Sequence, residues 1–551
     1  MNNSYLKIAL KSIPRILTCM DRNIHSSTYG CMHRDFWMYK TSDFPDAVRQ
    51  FGIHALALVY SNKFCESNIY YNNKKILEYI KAGLIFWTKI QHKDGSFDEF
   101  YPNERGWVGP TAFTTYTSIE SYKLVKNHLH KSEQNIIENA IKKSSHFISK
   151  GDQELDFLAN HHAMATLALW KAYDLFKNET FLNGYKQSLK KFKSYHIFDE
   201  GWSTEYDGID PGYLSATVSF LGKIYKSNKD PQIHEICKSS INTCSYFFYP
   251  NGYYGGFLGS RNTQHVYSHG FEIFSNDLKI ANRISIEIRK NYDDYKYVIP
   301  EIMSDRYLFY RVPELLLSHL ESMNNSDSSE LKLPYEEEKF TKYFKKAKVW
   351  IYNDSTNYFC ANLAKGGAYI LFNKKDKKII DADAGIYLRL KNKKILSSQW
   401  ISQNYAIETN ESNFIVRGKL QITPGNKTFN QFTNLIFRMF LLIINLFPQL
   451  SHKLKGFIRK LIVLGSKETK INFIRKVTIK DGELEINNFL DKLDKNKIHD
   501  IQIGDIFYNR FVPQSQFFQN YEIEENNKKS LLNNDFEIKN EQVKFIKSFK
   551  L

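Results

Sequence analysis

The 551-residue sequence lacks the short motifs that identify the commonest enzyme classes. It has no phosphate-binding glycine loop, no His-Glu-x-x-His zinc motif and no Gly-x-Ser-x-Gly nucleophile elbow, which disfavours nucleotide-dependent enzymes, metalloproteases and serine hydrolases. Its six cysteines show neither paired metal-ligand spacing nor the dense pattern of a small secreted domain, so free thiols are expected. We therefore predict neither a metal nor a cofactor.

The sequence also has no apolar signal peptide core at its start and relatively few acidic residues. Lys11, Pro14 and Arg15 interrupt the apolar residues of the first helix-like segment, so the default expectation is a cytoplasmic protein. The 76 Lys and Arg exceed the 59 Asp and Glu by 17, and such a surface attracts acidic polymers. Because the basic residues are dispersed and no recognition motif accompanies them, nucleic acid is not an expected partner.

A repeat of helical pairs dominates the first half of the chain. From about residue 45 to 260, apolar helical stretches alternate with short turns that carry Gly95, Gly151, Gly201 and Gly252, with a period of about 50 residues. One helix of each pair is apolar on nearly all faces and its partner is amphipathic, as inner and outer helices of two layers should be. This pattern predicts an α/α toroid whose concave end gathers the loops; an ordinary α-solenoid is the alternative.

The second half of the chain has the alternating pattern of β-strands. Residues 326–342 are polar and rich in Ser and Asn, which is typical of a linker, and 343–551 contain consecutive strand-like segments. The predicted fold class is therefore multidomain α+β: an incomplete α/α toroid over 1–325, carrying the substrate cleft, followed by an antiparallel β-sandwich. A helical apolar insertion is predicted at about 430–465.

This insertion contains a strongly apolar run at 432–447, followed by Pro448 and a basic stretch. The run is short for a membrane-spanning helix and contains Arg438. The first interpretation is a helical hairpin packed on protein. The alternative is peripheral membrane contact through 432–464, because a basic and apolar pair of segments suits a lipid surface.

Two polar clusters lie one repeat apart. Asn160, His161 and His162 open a predicted inner helix, and EGWSTEYDGIDPGY follows at 200–213. Neighbouring repeats place the two clusters side by side on the concave face. The pair resembles the heparinase II/III-like and alginate lyase-like superfamily of polysaccharide lyases, in which an Asn-bearing helix start is paired with a later Asp-Gly-x-x-x-Glu-x-Ser-Pro-x-Tyr turn.

The resemblance assigns roles residue by residue. Glu205 falls at the Glu of the turn and Tyr213 at its Tyr, after a short insertion that makes Tyr206 a second candidate. The resemblance implies that Asn160 neutralises a substrate carboxylate and that Tyr213 donates a proton to the leaving oxygen. β-Elimination beside a uronate carboxylate needs hydrogen bonds to the developing enolate and a positioned proton carrier, and His161 or His162 could be its base.

Further polar side chains are concentrated in GSRNTQHVYSHGFE at 259–272. Arg261 could clamp a carboxylate and His265 could act as acid or base; a hydrogen-bonded loop that locks the toroid end is the alternative. Aromatic and cationic residues in two earlier loops suit sugar stacking, although helix-end packing would use the same residue types. The predicted substrate-binding residues are Arg34, Trp37, Tyr39, Tyr101, Arg105, His162, Glu205, Asn262 and His269.

One feature of the superfamily is missing. In that superfamily an early sandwich strand often carries a histidine, but the matching stretch of this sequence, NLAKGGAYILF, has none. The following IDADAGIYL does resemble the Asp-x-Gly strand of those lyases. Either His265 or His269 takes the place of the lost base, or the reaction is not elimination.

The predicted function is β-elimination of an acidic, uronate-containing polysaccharide, linked to bacterial surface-polysaccharide metabolism. One alternative is a glycoside hydrolase on the same toroid, using carboxylates among Glu99, Glu205, Asp207 and Asp210. The other is a non-catalytic glycan-binding or assembly protein of capsule or O-antigen synthesis.

Overall fold

A computed structural model describes most of the chain. The described residues are 4–100, 108–150, 158–294, 296–423, 430–444, 465–480, 482–503 and 540–550, with isolated positions between 446 and 457 and at 512.

The described residues up to 322 are mainly helical. The helices are α1 (Ser4–Cys19), α2 (Arg34–Trp37), α3 (Gly52–Ser61), α4 (Lys74–Lys89), α5 (Val108–Val125), α6 (Lys131–Ser149), α7 (Ala159–Phe176), α8 (Glu179–Lys193), α9 (Pro211–Asn228), α10 (Pro231–Ser245), α11 (Ser268–Phe274), α12 (Lys279–Asp293) and α13 (Asp305–Ser322). A short hairpin of β1 (His196–Ile197) and β2 (Trp202–Ser203) precedes α9, and the 3₁₀ helix Ala47–Phe51 precedes α3.

The helices form two concentric layers. Helices α3, α5, α7, α9, α11 and α13 contact one another in that order, and α13 also contacts α3, so that in the described part of the chain six inner helices surround one axis. Helix α5 is buried along nearly its whole length, whereas α6 and α8 bury one face each. The predicted toroid is confirmed.

The turn glycines explain the sequence repeat. Gly95 has φ +95°, and a Cβ there would lie 2.4 Å from the Lys143 carbonyl oxygen of α6. Gly201 has φ +67°, and its Cβ would lie 2.3 Å from the Ser239 carbonyl oxygen of α10. Each turn therefore packs directly on the backbone of an outer helix, which only glycine permits in that conformation.

Antiparallel strands form the rest of the described chain. They are β3 (Phe340–Phe344), β4 (Val349–Asn353), β5 (Asn357–Asn362), β6 (Ala368–Asn373), β7 (Lys378–Asp383), β8 (Ile386–Leu390), β9 (Ile395–Ser397), β10 (Ala406–Thr409), β11 (Asn413–Ile422), β12 (Lys467–Lys480), β13 (Glu483–Asp491), β14 (Ile498–Ile503) and β15 (Val543–Lys550). One sheet has the order β3-β4-β5-β6-β7; the other has the order β14-β8-β9-β11-β12-β13-β15, with β10 paired to β11.

The five-stranded sheet is buried on both faces. On one face, Trp350 packs edge-on against Phe414 of the second sheet, with ring centroids 5.4 Å apart. On the other face, Phe372 stacks on Tyr249 of the toroid at 4.9 Å. Every residue of β5 is buried as a result. The predicted β-sandwich is confirmed, and the toroid forms a third layer against it.

Helix α14 (Gln431–Ile444) lies between β11 and β12. Among its described residues only Leu441 is fully buried, and much of its apolar surface faces solvent. None of the helices in the described ranges combines the length and apolarity needed to cross a membrane. All six cysteines are free thiols; Cys65 is half-buried and the other five are buried.

Candidate active site

The two polar clusters of the sequence meet through Asn160 and Glu205. In the first turn of α7, the Asn160 backbone N–H donates to Glu205 Oε2 at 3.1 Å, and its Nδ2 donates to Oε1 at 2.6 Å. Burial raises the pKa of Glu205 well above its usual value, and nearby Asp210 raises it further, whereas the hydrogen bonds from Asn160 oppose the shift. The repeat thus brings together side chains that lie 45 residues apart in sequence.

The turn after Glu205 is strained and held from two sides. Tyr206 and Asp207 have φ of +51° and +74°, a region that non-glycine residues rarely adopt. The Ser260 hydroxyl donates to the Glu205 carbonyl, and Gln403 Nε2 of the sandwich donates to the Asp207 carbonyl at 3.0 Å. Both the toroid and the sandwich therefore fix the position of Tyr206.

Asp210 joins this turn to the next loop. As the N-cap of α9, its Oδ1 accepts from the Tyr213 backbone N–H at 3.2 Å and from the Thr263 hydroxyl. Its Oδ2 accepts from the Arg261 backbone N–H at 2.8 Å. One buried carboxylate therefore sets the positions of both Tyr213 and Arg261, and burial raises its pKa.

Tyr213 is surrounded by other aromatic and cationic groups. Its ring centroid lies 6.4 Å from that of Tyr206 and 5.5 Å from that of His265, and the Arg261 guanidinium carbon lies 4.3 Å from the Tyr206 ring. Burial raises the pKa of Tyr213 well above 10, while the charge of Arg261 opposes that shift. The phenol is therefore protonated at neutral pH and available as a donor.

His265 is buried behind Tyr213. Burial lowers its pKa well below 6.5, and the charge of Arg311 lowers it further, so the imidazole is neutral at pH 7. Its Nε2 atom is buried and has no hydrogen-bond partner among the described residues. The ring also packs edge-on against Tyr267 at 5.3 Å.

His161 and His162 point in different directions. The His161 ring is half-buried and packs edge-on against Phe113 at 5.5 Å, and Phe113 in turn contacts Tyr310 across the toroid axis. The His162 ring stacks on Tyr195, which follows outer helix α8, at 4.9 Å. The His161 ring therefore faces the inside of the toroid, whereas His162 belongs to the layer between inner and outer helices.

Helix α13 contributes residues that the sequence analysis did not identify. Arg306 is buried and forms ion pairs with Glu99 and with Asp46, the latter at 3.3 Å. Tyr307 is half-buried; burial raises its pKa, and the charges of both Arg306 and Arg261 oppose that shift. The sequence signal was DRYLFYR at 305–311, in which two tyrosines and two arginines share one helix start.

Three of the five predicted binding residues in the early loops lie in the part of the chain that the structure describes. Arg34 Nε forms an ion pair with Asp305 Oδ2 at 2.5 Å, and Trp37 Nε1 donates to the Cys19 carbonyl at 2.8 Å. Tyr39 is 61% exposed. Because Asp305 begins α13, this loop lies at the same end of the toroid as Arg306. Tyr101 and Arg105 lie outside the described residues.

Asn262 and His269 lie in other networks. Asn262 has φ +55°, and its Oδ1 accepts from Lys365 Nζ of the sandwich at 2.5 Å. The His269 backbone N–H donates to Glu314 at 3.3 Å, and burial lowers the pKa of its imidazole to about 4. Glu314 pairs with Lys223 at 2.8 Å inside the toroid. Within the described ranges, no group of His, Cys, Asp and Glu could hold a metal ion.

The comparisons with known proteins agree with this architecture. The chain is similar in fold to the Streptomyces coelicolor A3 chondroitin AC lyase, with a TM-score of 0.55, 8% identity, and 91% of this chain and 67% of that chain covered. It is similar to a Paenibacillus xanthan lyase, with a TM-score of 0.53 and 11% identity, covering 89% of this chain. It spans only 46% of the xanthan lyase. A comparison with curated proteins gives no match.

The fold is therefore that of the polysaccharide lyases that combine a helical toroid with a β-sandwich. Residues 69–270, which include Asn160, Tyr213 and His265, match the family model of the ulvan lyase N-terminal domain. The predicted resemblance to heparinase II/III-like and alginate lyase-like enzymes is confirmed at the level of the fold.

Proposed function

We propose that the protein cleaves an acidic, uronate-containing polysaccharide by β-elimination. The observation that carries the proposal is the grouping of Asn160, Tyr213 and Arg261 at one end of the toroid, through the shared partners Glu205 and Asp210. The ulvan lyase match over this region supports it. So does the fold of the chondroitin AC lyase, whose structure holds chondroitin sulphate, an acidic polysaccharide.

Asn160 and Arg261 are the groups that would stabilise the developing negative charge. The Asn160 amide nitrogen carries two N–H donors, and Glu205 accepts from this nitrogen. We assign the second donor to the substrate carboxylate. The half-buried Arg261 guanidinium supplies a fixed positive charge close by, and preorganised donors of this kind are the largest contribution to many enzymatic rates.

Elimination requires a base at the carbon beside the carboxylate and an acid at the glycosidic oxygen. The base removes the proton from the carbon beside the carboxylate, that electron pair forms the carbon–carbon double bond, and the glycosidic carbon–oxygen bond breaks. Tyr213 gives its proton to the departing oxygen. We assign the base to His161, because its half-buried ring faces the inside of the toroid, whereas His265 Nε2 is buried and the His265 ring packs against Tyr213.

The carboxylates of the hydrolase alternative have other tasks. Glu99 pairs with the buried Arg306, Glu205 accepts two hydrogen bonds from Asn160, and Asp210 caps α9. A glycoside hydrolase needs an acid and a base or nucleophile that face the sugar across roughly 5–9.5 Å. The fourth carboxylate of this alternative, Asp207, is exposed, and one remaining carboxylate does not make such a pair, which favours elimination.

The test is incubation with a panel of acidic polysaccharides while the ultraviolet absorbance of the unsaturated uronate is followed. We expect the absorbance to rise and Tyr213→Phe to reduce the rate roughly 10²–10⁴-fold, because phenylalanine has no proton to donate. Tyr225→Phe is the matched control: it lies on the same helix near the opposite end, where its ring stacks on Phe274. Tyr206→Phe tests the second candidate from the motif.

Other outcomes would contradict the mechanism. New reducing ends without absorbance would indicate hydrolysis. Glycan binding with neither signal would indicate the binding or assembly role. Full activity of Tyr213→Phe and of Tyr206→Phe would show that neither tyrosine is the proton donor.

A further inference from the structure

Helix α14 exposes a continuous apolar stripe. Large apolar side chains recur at spacings of three and four residues along one face, and each is at least half exposed. An ordinary surface helix buries such a face against the protein. The exposed fractions include 77% for Phe432, 67% for Ile436 and 60% for Ile443. The stripe consists of Phe432, Leu435, Ile436, Met439, Leu442 and Ile443, and exposed Leu446 and Phe447 follow it.

The opposite face of α14 attaches the helix to the protein. Leu441 is buried, and Phe437, Phe440 and Ile444 are half-buried at the spacing of one helix face. Arg438 on this side forms an ion pair with Asp43 at 3.3 Å. The helix therefore has one apolar side that packs on the protein and a second apolar side that is exposed.

The sequence on both sides of α14 is basic. From residue 412 to 467 the sequence contains nine Lys and Arg and no Asp or Glu. Arg438 lies within α14, and the exposed Lys453 follows it. A basic segment with an apolar face is complementary to an anionic lipid surface.

We propose that α14 docks the protein on an anionic lipid bilayer, with the helix parallel to the membrane plane. Its 14 residues span about 21 Å, which is shorter than the roughly 30 Å hydrocarbon core, so the stripe can insert sideways but cannot cross. A second copy of this chain is a poorer occupant, because it would bring two cationic segments face to face.

The docked orientation would bring the cleft towards the membrane. The partner of Arg438 is Asp43, in the loop that ends at Asp46, and Asp46 pairs with Arg306 beside the candidate active site. Met38 and Tyr39 of the same loop are also exposed. The end of the toroid that carries the cleft and the apolar stripe thus belong to neighbouring parts of one surface. This proposal does not depend on the reaction that the protein catalyses.

Flotation with vesicles tests the proposal. We expect the purified full-length protein to float with vesicles of phosphatidylcholine and phosphatidylglycerol, and much less with phosphatidylcholine alone. High salt should weaken binding, because the Debye length falls from about 10 Å at 0.1 M to about 3 Å at 1 M. The double variant Ile436→Asp and Ile443→Asp should lose at least about tenfold in partitioning, since two charges replace exposed apolar side chains that the bilayer would bury.

The matched control is Ile69→Asp. Ile69 is 73% exposed on a toroid loop, outside the stripe, so this variant should bind vesicles as the wild type does. Wild-type protein that stays unbound with anionic vesicles would overturn the proposal. If it is then dimeric by light scattering, and the double variant is monomeric, the stripe is instead a contact between copies. Equal loss of binding in Ile69→Asp would show that binding is not specific to α14.

Discussion

Replacing Lys365, a residue of the β-sandwich, should impair the candidate active site in the toroid. This lysine belongs to the β-sandwich and is almost completely buried. Its ammonium donates to the carbonyl oxygens of Phe257 and Gly259, the latter at 3.0 Å, and to Asn262 Oδ1 at 2.5 Å. These acceptors flank Arg261 in the toroid loop. We therefore expect Lys365 to hold Arg261 in place without contacting substrate.

The expected size of the effect follows from the three hydrogen bonds. Lys365→Met keeps the length of the side chain but removes the donor, which leaves three buried acceptors without it. An unsatisfied buried acceptor costs about 1–3 kcal/mol, and the variant no longer has to desolvate an ammonium group, so we expect a net loss of about 2–3 kcal/mol in stability. Turnover should fall while glycan binding changes less, because the role proposed for Arg261 is to stabilise the developing charge.

Two measurements check this reasoning. Chemical denaturation gives the stability change, and hydrogen exchange of the backbone over 255–264 reports the loop itself. Lys348→Met is the control: its ammonium donates to the Gln403 carbonyl at 2.7 Å in an exposed setting, so the loss should stay within about 0.5 kcal/mol. Wild-type stability and unchanged exchange in Lys365→Met would refute the proposed role.

Three further substitutions probe the site and its surroundings. Glu205→Gln should cost about 1–3 kcal/mol and lower turnover, because both carboxylate oxygens accept from Asn160 and an amide has one acceptor oxygen. Burial lowers the pKa of His196 in the folded protein to about 4. Acidification from pH 6.5 to 5 should therefore cost the wild type up to about 2 kcal/mol of stability through this group, and His196→Gln should remove that loss. Gly212→Ala should destabilise by about 1–3 kcal/mol, since its Cβ would lie 2.1 Å from Thr263 Oγ1.

Each of these has its own check. Turnover of Glu205→Gln is followed in the absorbance assay, and wild-type activity would show that Asn160 does not need this partner. Denaturation of His196→Gln and wild type at several pH values should give parallel curves above pH 6.5 that converge at lower pH; curves that stay parallel throughout would contradict the burial argument. Gly208→Ala is the steric control for Gly212→Ala, because its Cβ would meet ordinary contacts at 3.4 Å.

The sequence predicted the architecture because the repeat has a direct steric cause. Turns at Gly95 and Gly201 recur because their backbones touch outer helices, so the period of the chain is the period of the toroid. Helix α11 was not predicted: GSRNTQHVYSHGFE was interpreted as a cluster of candidate site residues, with a hydrogen-bonded loop as the alternative. Its second half is an inner helix in which Ser268, His269 and Glu272 are buried and bonded to neighbouring helices. A polar segment is therefore not necessarily exposed, because neighbouring helices of the toroid can supply hydrogen-bond partners to its buried side chains.

The same reasoning identified part of the candidate site. Asn160 and Glu205 were predicted to be neighbours because one repeat separates them, and they are hydrogen-bonded at 2.6 Å. Tyr307 and Arg306 were missed because they lie about 100 residues further on, in a hairpin that no glycine turn marks. The different directions of His161 and His162 depend on which face of α7 meets α8, and the sequence does not reveal that rotation. The catalytic and binding roles of the predicted residues stay predictions.

The early sandwich stretch that lacks the histidine of the superfamily contains a buried lysine. NLAKGGAYILF contains Lys365, and the sandwich reaches the cleft loop through this lysine rather than through an imidazole. A buried ammonium that donates to carbonyl oxygens cannot act as a base, so the sandwich of this chain contributes positioning there and not proton transfer. The proposed mechanism therefore takes its base from the toroid and assigns it to His161. If His161→Gln retains wild-type elimination while Lys365→Met lowers it, the toroid base is another group, and Tyr213 itself would be the next residue to test.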